Sequence, residues 1–257
     1  KLVAEDKTAL FHPKHIGSGN SIVLKKTKPS DFTISLSGNE VIVRSIDVFD
    51  KQLITSDSEA RLQIIDNEIV ADVAQDILKI AVIERHGKSR SKINNHSKNM
   101  QISELSENEV VGGNKTKDMS LAFVRGFGIK EGAFASSVAH DSHNIIVVGT
   151  DSNYMAQAVN ILIENKGGLV AVSKNNHKSL KLPLAGLMAS ERAEIISSKL
   201  EELHYMAREM GCLLESPFMT MSFMALLVIP SLKISDKGLF DVSKFEFVDL
   251  IKKIIKK

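Results

Sequence analysis

Asn144-Ile145-Ile146-Val147-Val148-Gly149-Thr150, then Asp151-Ser152, then Met155, Val159, Leu162 and Ile163, then Gly167-Gly168-Leu169-Val170-Ala171-Val172: this stretch decides the fold. A continuous β-branched run suits a strand covered on both faces. Asp151 and Ser152 can each accept a hydrogen bond from a free N–H in a first helical turn. The four apolar residues after them recur at helical spacing, and the paired glycines stop the helix before a second apolar run. The unit reads strand-helix-strand, its strands most simply parallel with a right-handed crossover, which makes the middle of the chain α/β.

Working outward toward the C-terminus, Ser190 with Glu191 predicts the start of a second helix. Its apolar face is Ile196, Leu200, Leu203, Ala207 and Met210, and Gly211 ends it. Phe247, Leu250, Ile251, Ile254 and Ile255 predict a third helix, with the terminal lysines where its dipole favours cations. The Met-rich run Phe218–Met224 reads as core filling. Toward the N-terminus the rhythm is different. Short alternations at 21–24, 32–36, 41–46, 62–65 and 68–70 are separated by turn residues, with hairpin turns at Ser37-Gly38-Asn39 and Ile65-Asp66-Asn67-Glu68. Lys79–Ile83 is a further strand, ending in the charged cluster Glu84-Arg85-His86. The expected architecture is therefore α/β (α+β): a β-rich segment over 1–75, then an α/β sandwich with β-α-β units over 76–257. Residues 87–117, rich in Ser, Asn, Lys and Glu, form a surface insertion in this reading. The repeated strand-helix units of a TIM barrel are missing.

Composition narrows the function classes. The 257 residues are 43% hydrophobic, ordinary for a packed core. A formal charge of +2, from 33 basic and 31 acidic residues, is too small for the broad positive field of a nucleic-acid binder. No apolar run is long enough for a bilayer span, so no membrane role is expected. The one cysteine, Cys212, lies in an apolar stretch and fits a reducing cytoplasm. The opening Lys1-Leu2-Val3-Ala4-Glu5-Asp6 has neither an initiator Met nor a leader's apolar region, and reads as part of something longer.

The most chemically loaded block is His140-Asp141-Ser142-His143-Asn144, wedged between two apolar segments. Consecutive polar groups there are costly to bury unless they bond to one another, to a ligand or to a metal. Extended, the block puts Asp141 and His143 on one side; helical, it puts His140 and His143 on one face. A self-satisfied polar knot is the structural alternative. Gly126-Phe127-Gly128-Ile129-Lys130-Glu131-Gly132 looks like a phosphate cradle, but no helical pattern follows it, so turn formation and close packing are its expected use. His12 and His15, flanking Pro13, make a weak metal pair without a third ligand. Ser136 and Ser137 lack the sharp strand-to-helix turn of a serine nucleophile.

Taken together, Arg125–Ala133, Ser136–Asn144, Gly167-Gly168, Leu182-Pro183-Leu184-Ala185-Gly186-Leu187-Met188 and Pro217–Thr220 resemble the C-terminal domain of bacterial and archaeal adenine deaminases. Ile229–Lys233 and Lys237–Val242 continue the likeness, which runs from about Asp76 onward. The resemblance implies hydrolysis of adenine to hypoxanthine and ammonia in purine salvage. It implies a manganese or iron centre held mainly by an N-terminal amidohydrolase barrel, and a homo-oligomer. This chain has no His-x-His pair, so no metal ligand is assigned to it. Carried over residue by residue, the likeness makes His140, Asp141 and His143 the candidate catalytic residues, completing a site on the barrel. Asn144, Arg85 and His86 are the candidate substrate-binding residues. The competing expectations are a module serving only folding or oligomerisation, and an independent small-molecule binder. Ala189-Ser190 stands where the family pattern has Ser-Asp, so no role is carried to that position.

Overall fold

The structure, a computed structural model, describes residues 4–6, 8–10, 22–87 and 118–255. His12, His15 and the 87–117 insertion, apart from Gly87, lie outside the described residues, as does most of the opening segment. The described chain begins with a small antiparallel pair, β1 (Ala4–Glu5) and β2 (Thr8–Ala9). The 21–24 and 32–36 alternations, expected as strands, are not. Ile22 to Lys28 runs without regular structure, and a short 3-10 helix, Pro29–Phe32, follows. Pro29 explains this locally, since its ring presets φ for a first helical turn and removes the N–H a ladder would use. Phe32 and Ile34 are nonetheless buried.

β3 (Glu40–Val48) and β4 (Thr55–Ile65) form a long antiparallel hairpin in register from Glu40↔Gln63 to Val48↔Thr55. β4 alternates buried and exposed residues along its second half, the mark of one covered face. It turns into β5 (Glu68–Ile69) through Asp66 and Asn67, with φ of 51° and 60°, the paired left-handed conformation of a tight hairpin. β6 (Ile77–Ile83), β7 (Met119–Arg125), β8 (Ala133–Ser136) and β9 (Ile145–Gly149) are buried almost throughout. After β9 come α1 (Ser152–Glu164), β10 (Gly168–Val172) and β11 (His177–Lys181). Asp151 caps α1, its carboxylate accepting from the N–H groups of Asn153 and Tyr154. α2 (Ala193–Glu209) starts slightly later than the Ser190 signal suggests and buries Leu203, Met206 and Ala207. α3 (Pro217–Phe223) is the Met-rich run, with Phe218 and Met221 in the core.

One ten-stranded sheet carries most of these, nine of its strands in the order β11-β10-β8-β9-β6-β7-β3-β4-β5. It joins β3 from the 1–75 segment directly to β7 from the remainder, and that is its parallel pairing. The strand-helix-strand unit is present with one difference from expectation. β9 and β10 run in the same direction, but the antiparallel β8 lies between them, hydrogen-bonded to both. A local pattern of strand, helix and strand carries no information about a third strand inserted from earlier in the chain.

The helices divide between the two faces. Ala133 and Gly149 are register partners, and Met155 of α1 sits where a Gly149 Cβ would meet both it and Ala133. Phe134, the next residue of β8 and so on the opposite face, meets Phe218 of α3 at 5.4 Å between ring centroids. His204 of α2 stacks on the same Phe218 at 6.3 Å. So α1 covers one face, while α2 and α3 cover the other.

The expected third helix does not form. Instead β12 (Leu232–Ser235), β13 (Gly238–Asp241) and β14 (Glu246–Val248) make a small antiparallel sheet. β15 (Ile251–Ile255) joins the large sheet beside β3 over Glu40–Val43. The isoleucines of this run satisfy a helical spacing and a strand equally. Hydrogen bonding to the first half of β3, which β7 leaves uncovered, decides between them.

Lys233 on β12 is fully buried, and its Nζ donates to the Leu53 carbonyl at 2.8 Å. Burial pushes its amine down to about 8. The folded state therefore releases a proton near pH 8 that the unfolded chain holds up to about 10.5. Stability should rise across that window as the cost of the buried charge disappears. The increment is roughly 3 kcal/mol by the conversion of about 1.4 kcal/mol per pKa unit. In Lys233→Met this rise should be lost, and the variant should unfold at higher urea than the parent at pH 7. Urea midpoints of both proteins at pH 7 and pH 10 check it; parallel changes in the two would contradict it.

Candidate functional site

The polar block lies in the connection from β8 to β9, where four segments meet. These are the chain leaving β6, the β8–β9 connection itself, the 182–188 loop after β11, and α3. The paired glycines at the end of α1 make the meeting possible. A Cβ on Gly167 would lie 2.4 Å from the Gly186 Cα, and one on Gly168 would lie 1.9 Å from the Leu180 carbonyl oxygen. In the space they leave, the fully buried Ser137 donates through its Oγ to the Gly186 carbonyl at 2.5 Å. The same Oγ accepts from the Gly168 N–H at 2.8 Å. Ser137 is thus a clamp between loops, in keeping with its rejection as a nucleophile.

The block itself is neither extended nor helical. It is a turn, closed by the His143 N–H donating to the Ala139 carbonyl at 2.7 Å, with His143 at φ 52°. A histidine in this left-handed region costs on the order of 1 kcal/mol or more, and such positions are held by their surroundings. Here Arg85 does the holding. It is 1% exposed, and its Nε donates to the His143 carbonyl while Nη2 donates to the Ala185 carbonyl at 2.9 Å. The guanidinium lies over Gly186, where a Cβ would come within 2.3 Å of Nη1. Burial lowers the Arg85 pKa and the neighbouring Glu84 opposes the shift. His86 is exposed, with Nε2 3.1 Å from the Ser142 carbonyl. The structure therefore sets Arg85 and His86 against the block's backbone.

The His140 N–H donates to the Ser222 carbonyl at 2.9 Å, and its ring packs on Phe223 of α3 at 4.8 Å. The His140 and His143 rings stand edge to face, 5.3 Å apart. Asp141 and Ser142 are exposed. Within the block two buried side-chain atoms, His143 Nδ1 and Asn144 Oδ1, have no hydrogen-bond partner. Asn144 is 3% exposed, so its orphaned oxygen is shielded from bulk solvent. The pKa of His143 is lowered, first by burial and then by His140 and Arg85, with Asp141 opposing. The imidazole is thereby kept neutral around pH 7, able to accept or donate at Nδ1 according to tautomer. Sequence reading singled out the block and Arg85. It did not give the roles of Gly186, Ser137 and Phe223, which depend on contacts across 31 to 101 residues of chain.

Among the described residues, no group of three His, Cys, Asp or Glu side chains is placed to hold a metal ion. Two imidazoles do not make the cage of a manganese or iron centre. The glycine loop is equally closed to an anion. The Asp76 carboxylate already accepts from the N–H groups of Gly126 and Gly128, at 2.9 and 2.7 Å. A cleft of about 1050 Å³ lies elsewhere, between α2 and residues 173–178. Among the described residues, no helix is long and apolar enough to cross a membrane.

The site is thus a braced, strained turn with unsatisfied polar atoms, set in a mixed α/β domain. Comparison with known proteins gives the family. Residues 108–246 match the model of the adenine deaminase C-terminal domain, and the chain belongs to that family. It is 43% identical over 229 residues to an adenine deaminase of Methanosphaera stadtmanae, covering 88% of this chain and 37% of that protein. The adenine deaminase of Methanothermobacter thermautotrophicus is 45% identical over 218 residues, 85% of this chain and 35% of that one. That of Borreliella burgdorferi is 38% identical over 250 residues, with 97% and 40% covered. The chain thus spans 35% to 40% of the length of these relatives.

Proposed function

We propose that this chain acts as the C-terminal portion of an adenine deaminase, which with water converts adenine to hypoxanthine and ammonia. The observation that carries the reading is the pair of orphaned buried atoms, His143 Nδ1 and Asn144 Oδ1, on a braced turn in a chain of this family. Adenine offers N–H donors that Asn144 Oδ1 can accept. Loss of ammonia needs a proton delivered to the departing nitrogen, and a neutral imidazole can deliver one by first taking it from the attacking water as a base and then passing it on as a cation. In this reading His143 handles the proton, His140 and Asp141 set its electrostatics, and Asn144 orients the base. Arg85 and His86 hold the turn in place toward substrate. Manganese or iron would be held by an N-terminal amidohydrolase barrel and would activate water there; among the described residues no such cage is assembled. The whole enzyme works in cytoplasmic purine salvage as a homo-oligomer. The whole protein, supplied with manganese, should release ammonia from adenine and form hypoxanthine. Absence of turnover on adenine under manganese and iron alike would refute the proposal.

A further inference from the structure

The polar turn is not the only unfinished surface on this side of the sheet. Phe49, Leu53 and Ile54 from the β3–β4 connection, Leu213 before α3, Met219 on α3 and Val228 after it are all exposed. Leu213 and Val228 are 76% and 69% exposed. The segments that carry them come together. Leu53 and Met219 line one cleft of about 470 Å³. The Glu215 N–H donates to Asp50 at 2.9 Å, and the Thr55 N–H donates to the Pro230 carbonyl at 3.0 Å. Exposed apolar residues scattered singly are ordinary, whereas a contiguous group marks an interaction surface.

Two features say what kind of surface covers it. The charges that interrupt the face are already paired within it, Lys51 with Glu215 at 2.5 Å, so it calls for an apolar partner rather than an acidic or basic one. The face is also continuous with the polar turn through α3, which carries Met219 at one end and packs Phe223 against His140 at the other. A partner reaching His143 and Asn144 would pass over this face. The relatives contain such a partner within their own length, since the matched region is 35% to 40% of them.

We infer that the face formed by Phe49, Leu53, Ile54, Leu213, Met219 and Val228 is the docking surface for the barrel-bearing remainder of the polypeptide. It seats that remainder so that the polar turn meets its active site. The inference rests on the proposed deaminase reading for the identity of the partner. The test is hydroxyl-radical footprinting of the whole protein, with Tyr205 on α2, 60% exposed, as the internal reference for Met219, 57% exposed. Met219 should be labelled about tenfold or more slowly than Tyr205 once allowance is made for their intrinsic reactivities, as for a covered side chain. In the Leu213→Glu/Val228→Glu variant, whose substitutions lie at exposed positions, the protection should be lost. Met219 labelled as readily as Tyr205 in the parent overturns the inference. So does protection that disappears on dilution to monomer, which would assign the face to a second copy of the protein. Adenine turnover measured on the same samples separates the two readings: protection without turnover leaves the docking face standing and removes the deaminase, and turnover without protection does the reverse.

Discussion

Gly168→Ala should lower the melting temperature by about 10 °C or more, the largest stability effect expected of any single methyl group in this chain. At φ +134° an alanine is strained whatever the space around it, at about 1–3 kcal/mol. The added Cβ would also lie 1.9 Å from the Leu180 carbonyl oxygen and 2.9 Å from its carbon, both of them backbone. Relief would mean parting β10 from β11 at their first paired residues, Gly168 and Lys181, because no flexible side chain can yield. The Gly168 N–H and carbonyl also hold Ser137, so the same movement loosens the start of the polar turn. Together these place the variant at roughly 4 kcal/mol or more, in the exceptional class for point substitutions. At about 2–4 °C per kcal/mol for a domain of this size, that gives the stated shift. Calorimetry of the purified protein checks it, and a change below 3 °C, about one kcal/mol by the same scaling, would show that the glycine is not under this constraint.

What could be read from the sequence divides according to whether the deciding interactions are local. The cap at Asp151, the apolar stripe of α1 and the stop at Gly167-Gly168 all act within one or two turns, and the structure matches them closely. The Asp66-Asn67 turn was legible for the same reason, being a property of two residues. The insertion of β8 between β9 and β10 was not legible, because a strand's neighbours are chosen by the whole sheet. Ile251–Ile255 fits two periods, and its pairing with β3, some 210 residues earlier by the register Ile251↔Val43 to Ile255↔Glu40, settled the choice. The candidate site follows the same rule. His140 to Asn144 stood out as a polar block between apolar runs, but its shape did not. His143 in a left-handed conformation is invisible to a reading that looks for glycine, and Arg85 reaches its carbonyl across 58 residues.

That left-handed histidine yields the second large effect, and it separates a functional role from a structural one. Asn is among the few side chains that tolerate φ near +55°, so His143→Asn relieves backbone strain. The ring it removes makes no hydrogen bond at Nδ1, and its loss forgoes mainly the edge contact with His140, worth about 0.5–1.5 kcal/mol. Strain relief and lost contact are of similar size, so the stability of the variant should stay within about 1 kcal/mol of the parent. Turnover should behave differently. If the neutral imidazole moves a proton in the reaction, its removal should cost about 100-fold or more in kcat, the usual scale for a positioned acid or base. KM should change little, because Asn144 and Arg85 are untouched.

We propose that a strained turn on this domain completes an active site on other polypeptide. It is tested most directly by kcat for adenine in the His143→Asn form of the whole enzyme, with its melting temperature taken on the same preparation. A kcat at least about 100-fold below the parent, with an unchanged melting temperature, is the expected result. A parental kcat in an equally stable, or less stable, protein would contradict it and leave the turn a purely structural feature.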